Sequence, residues 1–255
     1  MGGDARLYVE ELPGRAPAVV LLHHGANSLR TWDDFVPGIA AGRRIIAYDR
    51  RGFGSSPRDA VFDAGLFACD ADDLACLLSA HSAAPAHLIG HSDGATVALI
   101  TAARYPNAVV SITVVSGHLR LDADLRQKLL GFGAPAGWEQ ATLDQYRERH
   151  GDDWETVVGC WYELWSAGAL ADWDIEEELS AIRCPVLVVH DRADPLAAAE
   201  HAEGVARQVP HAVISWYDTG SHGPHRIERE RFGSELETHL TAAEEALRLS
   251  LPHPS

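Results

Sequence analysis

Short continuous runs of apolar residues, separated by amphipathic stretches, set the rhythm of this chain. Ala18 to Leu22, Arg44 to Tyr48, Ala86 to Ile89, Val109 to Val115, Pro185 to Val189 and Ala212 to Tyr217 are each too short for a helix. The unbroken run from Ala18 to Leu22 predicts a parallel strand buried on both faces, and the others predict further strands. Arg6 to Glu11 alternates in character and predicts an edge strand, ended by Pro13-Gly14. Helical periodicity fills the gaps. Phe67 to His81 carries Leu74, Leu77 and Leu78 on one face, with Asp70, Asp72 and Asp73 near its start. Ala95 to Tyr105 stops before Pro106, and further helices are expected from about Leu196 to Val209 and from about Glu228 to Leu249. This alternation of strand and helix implies an α/β protein with a doubly wound, mostly parallel sheet.

The alternation lapses once. From about Leu119 to Leu179 the pattern is helical, broken at Gly131-Phe132-Gly133-Ala134-Pro135. A helical cap over residues 119–179 is therefore expected, inserted into a core made of residues 1–118 and 180–250. Residues 251–255, Leu-Pro-His-Pro-Ser, read as a disordered tail. The inserted stretch holds Trp138, Trp154, Trp161, Trp165 and Trp173, five of the chain's seven tryptophans. Trp154, Val157, Val158, Trp161 and Trp165 share a helical face. That face either covers a pocket or packs the cap against the main domain.

In such sheets the site lies at the carboxyl ends of the strands. His24, Ser92, Asp194 and His222 all fall just past predicted strand ends. Gly90-His91-Ser92-Asp93-Gly94 sits between a strand and a helix, the setting of a nucleophile elbow. The tight turn needs residues without bulk on both sides, so that Ser92 projects its hydroxyl. The helix that follows aims backbone N–H groups at negative charge forming beside Ser92. A serine hydroxyl attacks well only when a base takes its proton. His222, in Gly220-Ser221-His222 after the last strand, is the expected base, and His225 is its alternative. The adjacent pairs His23-His24 and His222/His225 lack a fixed carboxylate partner, so no metal site is predicted.

Several motifs in chain order resemble the α/β-hydrolases and span nearly the whole sequence. They are His24-Gly25-Ala26, the Asp49-Arg50-Arg51-Gly52-Phe53-Gly54-Ser55-Ser56 loop, the elbow, His190-Asp191-Arg192-Ala193-Asp194-Pro195 and Gly220-Ser221-His222. Within that family the Ser-Asp-Gly elbow resembles the valacyclovir-hydrolase-like branch of serine esterases. So do Pro185 to His190 leading into Asp194-Pro195-Leu196, and the cap's Tyr146-Arg147-Glu148 and Trp154 to Trp165. Three positions depart from the pattern. Asp191 stands where glycine is usual, Ser221 replaces a glycine, and His91 stands where that branch often carries tryptophan.

The resemblance implies an α/β-hydrolase fold and a Ser92, Asp194, His222 triad. Asp191 competes with Asp194 for the acid role, and Asp194 is preferred because Asp191 occupies the usual glycine turn. The backbone N–H groups of Ala26 and Asp93 are the expected oxyanion donors. His24, Trp154, Trp161 and Trp165 are expected at the substrate pocket. The Asp93 side chain either pairs with a substrate ammonium or rests on its own helix dipole. The reaction implied is hydrolysis of a small carboxylic ester, with an amino-acid ester as the leading specific substrate, through an acyl-enzyme and without cofactor. Thioesterase, lactonase, lyase, C–C bond hydrolase and non-catalytic receptor roles on the same scaffold are the alternatives.

Composition adds exclusions. With 255 residues, 46% hydrophobic and 23% charged, the chain fits one ordinary globular domain with an insertion. A formal charge of −16 argues against nucleic acid and mildly favours cationic small molecules. No apolar stretch approaches the ~20 residues needed to span a bilayer, so no membrane partner is expected. Met1 to Arg6 lacks the apolar segment of a signal peptide, which makes the cytoplasm the expected compartment. The four cysteines, at 69, 76, 160 and 184, form no Cys-x-x-Cys pair and are expected as free thiols.

Overall fold

The computed structural model describes residues 7–35, 42–131 and 137–250. The expected tail at 251–255, the start of the edge strand at Arg6 and most of the break at 131–135 lie outside the described residues.

Seven strands form one sheet in the order β1-β3-β2-β4-β5-β6-β7. They are β1 (Val9–Leu12), β2 (Arg15–Leu22), β3 (Arg43–Tyr48), β4 (Ala86–His91), β5 (Val109–Val115), β6 (Val186–Asp191) and β7 (Val213–Tyr217). Only β1 runs antiparallel, pairing with β3 at the edge, while all other pairings are parallel. The sheet is the doubly wound, mostly parallel α/β sheet that the sequence predicts.

The apolar runs are continuous because both faces of the sheet are covered. Val20 and Leu22 of β2 face one core cluster, and Val19 and Leu21 face the other. In β6, Val186 and Val188 divide from Leu187 and Val189 in the same way. Successive side chains of a strand point to opposite faces, so each strand fills two cores at once. One core is closed by α1 (Leu66–Ala80), which brings Phe67, Leu74, Leu77 and Leu78, and by α2 (Asp93–Arg104), which brings Val97 and Leu99. The other is closed by Trp32 of a 3-10 turn and by Phe232, Leu236 and Leu240 of the long C-terminal helix.

Between β5 and β6 the chain leaves the sheet for α3 (Ala123–Gly131), α4 (Gln140–His150) and α5 (Trp154–Ser166). The rest of the insertion does not stay with them. Leu170, Ile175 and Leu179 return to the α1/α2 core, where the 3-10 turn Glu177–Ala181 packs on α2. After β6, α6 (Ala199–Gln208) begins three residues later than the spacing predicts. The cause is local: the Asp194 carboxylate accepts the N–H groups of Leu196 and Ala197 at 2.8 and 2.9 Å, which holds this stretch as a turn. After β7 come the short α7 (Pro224–Ile227) and α8 (Arg229–Ser250). Among the described residues, no helix is long and apolar enough to cross a membrane.

Candidate active site

β4 delivers Ser92 and α2 starts immediately behind it. Ser92 takes φ 53° and ψ −121°, a left-handed conformation that costs a non-glycine residue about 1–3 kcal/mol. Two glycines make this turn feasible. A Cβ on Gly90 would stand 2.3 Å from the Gly94 carbonyl oxygen, and one on Gly94 would stand 2.4 Å from that of Leu22. The Ser92 N–H donates to the Val115 carbonyl at 2.8 Å, which ties the elbow to β5.

Three loops bring a proton relay to this hydroxyl. His222 Nε2 lies 2.9 Å from Ser92 Oγ, and His222 Nδ1 lies 2.9 Å from Asp194 Oδ2 and 3.0 Å from Oδ1. Burial alone would raise the Asp194 carboxyl, but the His222 imidazole and the two backbone N–H groups hold it well below the usual carboxylate range. Asp191 has other work. It accepts from the N–H groups of Ala193, Thr219 and Gly220 and from the Thr219 hydroxyl, and so pins the loop that carries His222. His225 is buried among Trp32, Phe35 and Phe232, with its ring 4.7 Å from that of His91, and makes no bond to Ser92.

Opposite Ser92 lies the loop after β2. Ala26 also has a positive φ, 50°, and its N–H donates to no described residue. The Asp93 N–H, first in α2, is likewise without a partner among the described residues, as expected at a helix start. Both N–H groups are thus free of partners among the described residues, and an oxyanion beside Ser92 would need two such donors.

Ser92 and His222 border a cavity of about 510 Å³. Its floor is formed by Ser92, His222, His24 and His91. The insertion supplies the far wall, with Leu129, Trp138, Tyr146, Trp161 and Tyr162. His24 and His91 are both held neutral by burial, His91 down to about 3. His24 donates Nδ1–H to the Gly25 carbonyl, and His91 donates Nε2–H to the carbonyl of His222. His91 thereby fixes the backbone of the histidine that faces Ser92.

Residues 17–159 match the family described as the alpha/beta hydrolase fold. The chain belongs to that family. Human serine hydrolase BPHL is 29% identical over 77% of this chain and 69% of its own length. RutD of Caulobacter sp. strain K31, provisionally designated a carbamate hydrolase, is 27% identical over 83% of this chain and 86% of its own. The rhodomycin D methylesterase DauP of Streptomyces sp. strain C5 is 27% identical over 94% and 96%. Among solved structures, an alpha/beta hydrolase from a deep-sea metagenome, MGS-M2, superposes with a TM-score of 0.77 at 18% identity over 94% of this chain and 96% of that one. An esterase from Thermogutta terrifontis does so at 0.69 and 22% over 93% of each chain. The chain is thus an enzyme, a hydrolase of this fold.

Against this hydrolase frame, three expected pocket residues need correction. Trp154 packs on Ala26 and Val158, and Trp165 packs on Phe67, Trp173 and His118, so neither borders the cavity. The Asp93 carboxylate does not reach the cavity wall either. It is 1% exposed, and its Oδ2 accepts the Trp161 indole N–H at 3.0 Å and a longer bond from Arg50 at 3.5 Å. Burial raises this carboxyl, and Arg50, Trp161 and His222 work against that rise. Arg50 is itself buried and bonds Asp70 at 2.6 Å.

Sequence reasoning missed His118. It follows β5, stacks on the His222 ring at 5.6 Å and places Nε2 3.4 Å from Ser92 Oγ. Burial keeps it neutral. Its position past the carboxyl end of a central parallel strand was the available signal.

Proposed function

We propose that this hydrolase cleaves a small carboxylic ester through an acyl-enzyme on Ser92. One observation carries the reading: Ser92 Oγ, His222 and Asp194 stand in hydrogen-bonding sequence at the floor of a largely apolar cavity. His222 Nε2 takes the hydroxyl proton as Ser92 attacks the ester carbonyl. Asp194 holds the imidazole with Nδ1–H towards itself and stabilises the cation that forms. The Ala26 and Asp93 N–H groups receive the oxyanion. His222 then protonates the leaving alcohol, and water reverses the sequence to release the acid.

An uncharged acyl group suits the cavity best, since its wall is largely apolar and Glu139 is the sole carboxylate among its described lining residues. An amino-acid ester has one point in its favour: Trp161, which borders the cavity, covers Asp93 Oδ2, and its displacement would free that oxygen for a substrate ammonium. BPHL and DauP, a serine hydrolase and a methylesterase by name, are consistent with ester chemistry. The test is kcat/KM for an amino-acid ester and its des-amino analogue with wild type, Ser92→Ala and Asp93→Asn. Ser92→Ala is expected to lose at least about 10⁴-fold on both esters. A preference for the amine that Asp93→Asn alone abolishes, worth about 10–100-fold, establishes the amino-acid ester. Equal treatment of both esters by all forms establishes the neutral one. Full activity in Ser92→Ala overturns the mechanism.

A further inference from the structure

The loop that carries Ala26 is fastened at several points, and one of them comes from the insertion. At its far end the Leu29 N–H donates to Asp49 Oδ1 at 2.7 Å, a contact within the core. At Ala26 itself the fastening is the imidazole of His150, the last residue of α4 and 4% exposed. His150 Nε2 lies 3.1 Å from the Ala26 carbonyl oxygen, and its Nδ1 accepts the Gly54 N–H at 2.9 Å. A carbonyl only accepts and an amide N–H only donates, so the ring must be neutral with its proton on Nε2. Both ring nitrogens are then satisfied, and burial holds the group down to about 4. Arg58 secures the other side by donating to the His150 carbonyl at 3.0 Å.

Ala26 has a use for such a clamp. Its φ of 50° is unfavourable for an alanine, and relaxation of that angle rotates the peptide plane that bears its N–H. Fixing the carbonyl on one side of the Cα restrains the N–H on the other. We infer that His150 is a positioning residue that sets the oxyanion donor of Ala26, so that the seated insertion completes the site. This inference rests on the reading of Ala26 as an oxyanion donor.

The competing account is that His150 merely anchors the insertion. Two isosteres separate the accounts. In His150→Asn the side-chain oxygen can take the place of Nδ1 and keep the Gly54 bond, but it falls short of Ala26. In His150→Gln the longer amide reaches the Ala26 carbonyl. Each is compared with wild type for kcat, KM, melting temperature, and inhibition by a trifluoromethyl ketone analogue of the ester and by the corresponding alcohol. The ketone forms a tetrahedral alkoxide on Ser92 and needs the oxyanion donors, whereas the alcohol does not.

His150→Asn is expected to lower kcat about 10–100-fold with KM within about twofold, and to weaken the ketone by the same factor while the alcohol binds as before. His150→Gln is expected to regain most of that loss. Unchanged kcat and ketone affinity in His150→Asn overturns the inference. So does a parallel loss of ketone and alcohol affinity, or an equal defect in Asn and Gln. If His150→Asn fails to fold, His150→Phe against His150→Gln decides by the same criteria. Ser92→Ala separates the two levels. If it is inactive while His150→Asn matches wild type, only the role of His150 falls; if it stays active, the oxyanion reading falls and His150 with it.

Discussion

Seven groups of the described residues converge on two carboxylates beside His222. Asp194 receives the imidazole and two backbone N–H groups, and Asp191, three residues earlier, secures the backbone at Thr219 and Gly220. One aspartate orients the ring and the other holds the loop, which explains why a second acid stands where the family usually has glycine. Asp194→Asn keeps the shape but offers an N–H where His222 Nδ1 needs an acceptor. It is expected to lower kcat by about 10⁴-fold with little change in KM, measured by steady-state hydrolysis of a chromogenic ester. A loss below tenfold means that Asp194 is not the partner of the working imidazole. Ser92, Asp194 and His222 were legible as candidates because each sits just past a strand end within a short motif. His118 also follows a strand end but lies in no such motif, and nothing local marks His150. His150 meets Ala26 across 124 positions of sequence, a contact that only the folded chain creates.

At the scale of elements, the elbow was readable and the insertion only partly so. Helical spacing correctly put Trp154, Trp161 and Trp165 on one face of α5. It could not say which end of that face lies over the cavity. Trp154 and Trp165 are about 16 Å apart along the helix, a span that reaches from Ala26 at one end to Phe67 and Trp173 at the other. Trp161, between them, meets the site. Gly25 shows how closely it does so: a Cβ there would stand 2.0 Å from the Trp161 indole nitrogen and 2.5 Å from Asp93 Oδ2. The glycine of the oxyanion loop therefore leaves room for a side chain of the insertion as well as for the loop's own turn. The helix starts that shifted from their predicted positions have a similar cause. Asp194 and Ser92 govern the chain just before α6 and α2, and their roles follow from the site rather than from periodicity.

Across the whole molecule the sheet was the most legible feature, because strands buried on both faces leave unbroken apolar runs. The set of buried histidines was not, and it has a consequence for stability. Burial pushes His87 and His150 down to about 4 and His91 to about 3, against 6.5 for an unperturbed imidazole. Between pH 6.5 and 4 the unfolded chain takes up protons that the folded chain excludes, so stability is full above 6.5 and falls as pH drops through that window. Asp70, raised by burial to about 6 from 3.8, acts in the opposite sense below pH 6, but it is one group against several. Each excluded proton contributes a slope of at most about 1.4 kcal/mol per pH unit. Urea unfolding is therefore expected to give a free energy lower by about 2 kcal/mol or more at pH 5 than at pH 7.5. A flat or rising profile on acidification contradicts the neutral histidine core.

The proposed mechanism stands on Ser92 as nucleophile and His222 as its base. The most direct measurement is reaction with a p-nitrophenyl alkylphosphonate, which phosphonylates an activated serine and releases p-nitrophenolate. One equivalent released per chain is expected, with loss of esterase activity in step and the phosphonyl group on the peptide containing Ser92. Ser92→Ala should take up none, and His222→Ala should react at least about 100-fold more slowly. Inactivation with the label on another residue, or continued ester turnover by unlabelled Ser92→Ala, contradicts it.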